Sequence, residues 1–258
     1  MTQRKGARRI AEIPNSILEQ LNRGQLETAN LIESLAIDFG LLLQSTFSPP
    51  PPALIAQLEA TPGQAWLQKM RLVSQGLYEH YGDQIIDRLL SHPADTVRGW
   101  AAGVIGLIPD LPLDKRLARL RPLADDPHFG VRETAWLLVR QHIVEDILTA
   151  LQLFQDWVKD ASPNIRRFAI ESTRPRGVWC SHINLLKIQP ELGLPLLTSL
   201  HADPSRYVQN SVANWLNDAA KSKPDWVQSV CEQWRSANDS TATAYICKRA
   251  LRTINLSA

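Results

Sequence analysis

A fourfold internal repeat restricts this chain more than any other feature. Pro93-Ala94-Asp95-Thr96-Val97-Arg98-Gly99-Trp100-Ala101 resembles Pro127-His128-Phe129-Gly130-Val131-Arg132-Glu133-Thr134-Ala135. Pro163-Asn164-Ile165-Arg166-Arg167-Phe168-Ala169 repeats it with a shorter lead, and Pro204-Ser205-Arg206-Tyr207-Val208-Gln209-Asn210-Ser211-Val212 is the fourth copy. The branched aliphatic recurs at Val97, Val131, Ile165 and Val208, at intervals of 34, 34 and 43 residues. A period of that size marks stacked helical units. A polar residue and a Pro open each helix, where the missing N–H costs nothing. The aliphatic points inward, and a small residue four positions later lets a neighbouring helix approach.

No stretch longer than a few residues alternates as a strand does, so the whole chain is expected to be α. The repeat has the HEAT-type pattern, in which paired helices stack into a right-handed, curved solenoid with a concave face. A length of 258 residues is long for one compact core and comfortable for such an array. Arg98, Arg132 and Arg166 recur at one repeat position. They either line up as a charge stripe for an anionic partner or make intra-repeat salt bridges. The extra length of the last interval holds Arg174-Pro175-Arg176-Gly177-Val178-Trp179, between helices expected at Asn164–Ser172 and Ser205–Ala219. A plain helical repeat does not need two guanidiniums, a Pro, a Gly and an indole in six residues. The segment reads as presenting Arg and Trp side chains to DNA.

The rest of the chain fits around the array. Met1–Glu12, with Arg4, Lys5, Arg8 and Arg9, reads as a flexible basic tail. Pro14–Asn22 and Gln25–Leu43 read as two amphipathic helices, the second with the stripe Leu31, Leu35, Phe39 and Leu42. Together they make an N-terminal helical hairpin over residues 13–48. The Pro49–Pro52 run is a polyproline joint, and residues 53–258 form the repeat array, so that 13–258 is a single domain. An interruption is expected at Thr61-Pro62-Gly63. Helices at Trp226–Arg235 and Thr241–Ile254 close the array, and Lys248, Arg249 and Arg252 add charge there.

Bulk properties narrow the function class. Net charge is +2, compatible with nucleic acid only through placement of charge. Cys180, Cys231 and Cys247 are far apart, without a CxxC pair or a His cluster, which argues for a reducing cytosol without disulfides, structural zinc or any metal. No apolar run reaches the roughly 20 residues that span a bilayer. The basic N-terminus lacks an apolar signal core. A cytoplasmic protein without cofactor is expected, monomeric by default.

Individual residues carry two readings each. Glu133 lies two positions after the inward Val131, off the core stripe, and alone is a solvated carboxylate. Asp218 stands near the end of its helix, where the helix dipole disfavours an acid, or is merely a surface acid. Asn210, Asn214, Asn217 and Asp218 form a polar stripe that suggests a wet, hydrogen-bonding groove. Trp179 is the tryptophan least suited to a plain core role.

Ile170-Glu171-Ser172-Thr173-Arg174-Pro175-Arg176-Gly177-Val178-Trp179, followed by Asp203-Pro204-Ser205-Arg206-Tyr207-Val208 and Ser211-Val212-Ala213-Asn214-Trp215-Leu216-Asn217-Asp218, resembles the AlkC family of HEAT-like-repeat alkylpurine DNA glycosylases, whose sister family is AlkD. The resemblance covers about Pro93 to Pro224 and, more loosely, the N-terminal hairpin. It implies hydrolysis of the N-glycosidic bond of N3-alkylated adenine, and of N3-alkylated cytosine as a further substrate, in double-stranded DNA, with the lesion left largely stacked. It also implies that Glu133 and Asp218 face the deoxyribose and that Trp179 lies against sugar and base. The DNA-contacting set is then Arg132, Arg166, Arg174, Arg176, Tyr207, Asn210, Asn214 and Asn217. The chain departs from the family pattern at Gln209, where Arg is usual, at Trp215, where His is usual, and at Gly177-Val178, where Leu-Pro is usual. The immunoglobulin-like domain of some members is not expected. Two other readings stay open: a catalytically silent paralogue that binds distorted or branched DNA, and a HEAT scaffold for a protein partner.

Overall fold

A computed structural model of the protein describes residues 4–61, 63–237 and 239–254. Those residues form helices and connecting loops, and no strand occurs among them. The chain divides into two compact units, residues 1–139 and 140–258.

The first unit opens with a 3-10 turn at Ile10–Glu12 and continues through α1 (Asn15–Asn22), α2 (Leu31–Ala36), α3 (Phe39–Thr46) and α4 (Pro52–Ala60). Then come α5 (Trp66–Tyr81), α6 (Ile86–Leu90), α7 (Asp95–Leu107), α8 (Leu113–Ala124) and the first part of α9 (Phe129–Glu145). The second unit holds α10 (Ile147–Trp157), α11 (Pro163–Glu171), α12 (Asn184–Ile188), α13 (Leu194–Ser199), α14 (Arg206–Ala220), α15 (Pro224–Ala237) and α16 (Thr241–Ala250).

The N-terminal region differs from expectation in three ways. Arg4 donates to both carboxylate oxygens of buried Glu33, at 2.5 and 2.7 Å, and to the Glu27 carbonyl at 3.0 Å. Asn30 donates to the Ala7 carbonyl at 2.8 Å. Residues 4–12 are therefore fastened down instead of forming a free tail, because a buried carboxylate supplies the anchor. Met1–Gln3 lie outside the described residues. Secondly, the helix expected at Gln25–Leu43 is two helices. Asp38 interrupts it and accepts a hydrogen bond from the Leu41 N–H at 3.0 Å, capping α3. The apolar stripe divides too: Phe39 and Leu42 are buried, while Leu31 and Leu35 are each 41% exposed.

Thirdly, the prolines do not set the first helices apart. Pro52 begins α4, since Pro suits the first helical position. Thr28 donates its N–H and its hydroxyl to buried Asp95, at 3.0 and 2.7 Å. Glu27 pairs with Arg98 at 2.5 Å, and His128 Nε2 lies 2.6 Å from the Thr28 carbonyl. These bonds tie the segment before the prolines to α7 and to the loop before α9. The division of the chain falls inside α9 instead. Of the expected break at Thr61-Pro62-Gly63, Pro62 lies outside the described residues.

The repeat copies share one clasp. The residue after the inward aliphatic reaches back to the carbonyl six positions earlier. Arg98 donates to His92 (3.0 Å), Arg132 to Asp126 (2.6 Å), Arg166 to Asp160 (2.8 Å) and Gln209 to Asp203 (2.7 Å). The three arginines also bond the next carbonyl, of Pro93, Pro127 and Ala161. At the loop entry a side chain accepts the N–H two residues on. His92 does so from Ala94, Asp126 from His128, Asp160 from Ser162 and Asp203 from Ser205. Arg98 then grips Asp126 of the following copy with two bonds of 2.7 and 3.0 Å, and Arg166 grips Asp203 in the same way. Thus the recurrent arginine stitches loops and successive copies together, closer to the salt-bridge reading than to a stripe for a partner. Beneath the clasp, Val97, Val131, Ile165 and Val208 are buried, as are Ala101, Ala135, Ala169 and Val212 four residues on.

Candidate active site and nucleic-acid interface

The insert after α11 is held by a cation that nothing in the sequence singles out. Pro175 ends the possibility of regular helix and leaves carbonyls without backbone donors. Arg140, buried, fills that role. It donates to the carbonyls of Ser172 (2.7 Å), Arg174 (2.6 Å) and Ser181 (3.3 Å). Burial holds the Arg140 pKa below its ordinary value, with Cys180 opposing and Arg174 adding to the shift. The Ile183 N–H closes the loop on the Pro175 carbonyl at 3.0 Å. Gly177 has a steric cause: a Cβ there would collide with Cys180 Sγ and lie 3.3 Å from Arg140 Nη2.

Trp179 sits at the outer edge of this loop. Its φ is 63°, a left-handed conformation that costs a bulky residue roughly 1–2 kcal/mol. Its side chain is 53% exposed, beside Val178 at 60%. A strained backbone thus carries an indole outward, and an indole exposed at such a cost is a feature of ligand sites.

A group of buried charges lies beneath. Asp218, on α14, is 3% exposed, and Arg174 donates to its Oδ2 from Nε and Nη2, both at 2.8 Å. The other oxygen, Oδ1, faces the half-exposed Lys221 ammonium at 3.5 Å. Glu171, at the end of α11 and 4% exposed, accepts from Arg167 at 2.9 Å, Ser211 at 2.7 Å and Arg174 at 3.1 Å. Burial pushes the Glu171 carboxyl up, but Arg167 and Arg174 outweigh it and hold the pKa below the ordinary carboxylate value. Burial also works against the charged form of Arg174. Glu171 and Asp218 outweigh it, and that pKa is raised.

Arg174 is therefore a buried link between two carboxylates, not the exposed groove contact expected of it. Arg176 is half-buried and donates to the Ser222 hydroxyl at 2.7 Å. The Arg167 guanidinium lies 4.2 Å from the centre of the Tyr207 ring. The asparagines do not line an open groove: they join α14 to the chain from α16 onward. Asn210 accepts from the Tyr245 hydroxyl at 2.7 Å, and Asn214 from Arg252 at 3.1 Å. Asn217, buried, donates to the Ala250 carbonyl and the Thr253 hydroxyl. Trp215 is core, and its indole N–H holds the Thr173 carbonyl at 3.0 Å, at the entry to the insert. Glu133 is half-buried on α9 in the first unit, where it accepts the indole N–H of Trp136 at 3.0 Å.

Glu171, Arg167 and Arg140 are the site residues that sequence reasoning passed over. The spacing of four from Arg167 to Glu171 and three from Glu171 to Arg174 was a readable sign of one helical face. Nothing local marks Arg140, which lies more than 30 residues from the carbonyls it holds. Among the described residues no group of three or more His, Cys, Asp or Glu could hold a metal ion. No helix among them is long and apolar enough to cross a membrane.

Residues 130–254 match the model of a family described as DNA alkylation repair enzyme. The chain is 32% identical over 204 residues to YhaZ of Bacillus subtilis (strain 168), described as an uncharacterized protein, with 77% of this chain and 55% of YhaZ covered. It thus spans about half the length of that curated relative. Its fold resembles the Pseudomonas fluorescens alkylpurine DNA glycosylase AlkC, solved with DNA containing an abasic site analog. That match has a TM-score of 0.67 at 24% identity and covers 96% of this chain and 65% of the other. It also resembles AlkD2 from Streptococcus mutans, with a TM-score of 0.61 at 22% identity, covering 76% of this chain and 95% of that one. The fold is that of the helical-repeat proteins AlkC and AlkD2.

Proposed function

We propose that the protein is a monofunctional DNA glycosylase that releases N3-alkylated bases, 3-methyladenine first and 3-methylcytosine as a further substrate, from double-stranded DNA. The observation that carries this reading is Asp218: a buried carboxylate held by one oxygen on Arg174, with Oδ1 left toward a half-exposed lysine. A surface acid needs no such mounting.

The chemistry asks little of the protein. An N3-alkylated base is already cationic, so it leaves with the electron pair of the C1′–N bond and no added proton. The sugar becomes oxocarbenium-like. A fixed carboxylate stabilises that charge and orients the water that adds to C1′, yielding an abasic site and a proton. Asp218 takes this role. Trp179 offers its face to the cationic base, worth roughly 0.5–2 kcal/mol. Glu171 acts through Arg174 by fixing the guanidinium that holds Asp218. The lesion stays in the duplex stack.

The test is release of bases from methylated duplex DNA, measured by chromatography for wild type and Asp218→Asn. Release of 3-methyladenine by wild type, abolished in the variant, is expected. A circular-dichroism melt of both proteins accompanies it, because the substitution also disturbs the Arg174 pairing. Release by a folded Asp218→Asn at the wild-type rate would remove Asp218 from the chemistry. Tight binding without release would favour a silent DNA-binding protein.

A further inference from the structure

α16 carries Tyr245 and Arg249 four residues apart, on one face, and Arg252 follows in the turn after the helix. The opposite face, with Ala242, Thr243, Ile246, Cys247 and Ala250, is buried. Arg206 of α14 approaches the same ring, its guanidinium carbon 3.6 Å from the Tyr245 centroid, and that of Arg249 stands 5.6 Å from it. The Tyr245 hydroxyl is fixed by Asn210, and Arg252 by Asn214 and the Arg249 carbonyl at 2.7 Å. Arg206, Arg249 and Arg252 are exposed.

These cations differ from three other arginines of the second unit. Arg166, Arg167 and Arg174 each hold a carboxylate. Among the described residues, Arg206, Arg249 and Arg252 hold none. Gathering two guanidiniums at one ring, with Arg252 beside Arg249, costs repulsion. The Arg252 pKa is lowered, by burial first and then by Arg249, while Asp218 pulls it up and Arg174 pushes it down. Arg252 is thus within electrostatic reach of the Arg174–Asp218 pair. A row of anions on the surface of the second unit would offset the repulsion within the cluster.

We infer that Arg206, Arg249 and Arg252 form a phosphate-binding strip for the DNA strand whose damaged nucleotide faces Asp218. The inference rests on the glycosylase reading and adds the side chains that hold the backbone next to the reacting sugar. The ring of Tyr245, itself fixed by Asn210, and the Asn214 amide on Arg252 hold the guanidiniums in place before DNA arrives, which lowers the ordering cost of binding. Phosphate contacts of this kind set register and orientation and carry no sequence preference.

The test measures binding of a duplex containing an abasic-site analogue by fluorescence anisotropy over a salt series. For Arg249→Gln/Arg252→Gln the slope of log K against log salt should shrink by roughly 1.8, that is about 0.9 for each phosphate no longer neutralised. Arg249→Lys/Arg252→Lys should recover most of the slope, which a purely structural role would not produce. Arg235→Gln, an exposed cation on α15, should leave it unchanged. A wild-type slope in the double glutamine variant overturns the strip and leaves the glycosylase reading standing. A wild type that binds no duplex at any salt overturns both.

Discussion

Replacing Glu171 with Gln removes one charge and almost no volume from a buried acid of the site. The oxygen that receives Arg167 and Ser211 has a counterpart in the amide, so those bonds survive in weaker, uncharged form. The other oxygen becomes an NH2 group facing the Nη1 of Arg174, donor against donor. Arg174 keeps Asp218, so the pair is half broken. Removing one charge-assisted bond costs about 1.5–3 kcal/mol, and breaking a buried pair outright about 3–5 kcal/mol. The expected loss is therefore about 3 kcal/mol, roughly a hundredfold in the folding equilibrium. Urea unfolding followed by tryptophan fluorescence reads it as a lower midpoint at unchanged slope. Adding Arg167→Met, which removes the uncompensated cation, should cost less than the sum of the two single changes. A loss under about 1 kcal/mol for Glu171→Gln, the value of an exposed ion pair, would mean that the cluster is solvated and that its role in holding Asp218 is misjudged.

The repeat clasp predicts an order of effects. Arg166→Met leaves Asp203 buried and unpaired and should cost about 3 kcal/mol, whereas Gln209→Ala removes one neutral hydrogen bond and should cost about 1 kcal/mol. Equal costs in chemical denaturation would mean that the carbonyl bond, common to both, is all that matters. His92 occupies the loop position that Asp holds in the other copies. Burial first, then Arg98 and Arg88, lower its pKa from 6.5, so its contribution is complete above pH 6.5 and is lost as pH falls through the folded value. His92→Asp should reduce the stability difference between pH 7.5 and pH 5.5, and an unchanged difference would assign it to other histidines.

Much of this fold was legible because a repeat states its own logic several times. The aliphatic and small residues of each copy could be read as core from spacing alone, and they are. The helix ends at α11 and α14 were within a residue of their expected places because Pro, Ser and Asp mark them. The recurrent arginines show where this reading stops. Their position is visible, but whether a guanidinium reaches outward or back to a carbonyl six residues away depends on loop geometry that a one-dimensional pattern does not encode. The asparagines of α14 misled for a related reason. A polar stripe looks the same whether it faces water or another polar seam, and the partner here, α16 and the turn after it, lies more than 30 residues away. At Gln209, by contrast, the departure from the repeat is explained: the amide makes the backbone bond that Arg makes elsewhere, without the grip on a following Asp.

The distribution of arginines bears on how strongly the protein should bind. Net charge is only +2, and the clasps and the Glu171–Arg174–Asp218 link occupy many of the cations that a count would offer to DNA. If Arg206, Arg249 and Arg252 supply the main phosphate contacts, the slope of log K against log salt is about −2.7, and affinity falls roughly 40-fold between 50 and 200 mM salt. If Arg132, Arg166, Arg174 and Arg176 met phosphate as well, seven contacts would give a slope near −6.3 and a fall of roughly 6,000-fold over the same range. The two figures differ by more than any error of an anisotropy titration. The steeper result would require the clasps to open on DNA, because the guanidinium donors that hold the Asp126 and Asp160 carbonyls and the Asp203 carboxylate in the free protein cannot serve both partners at once. The shallower one would place the electrostatic work on α14, α16 and the turn after it.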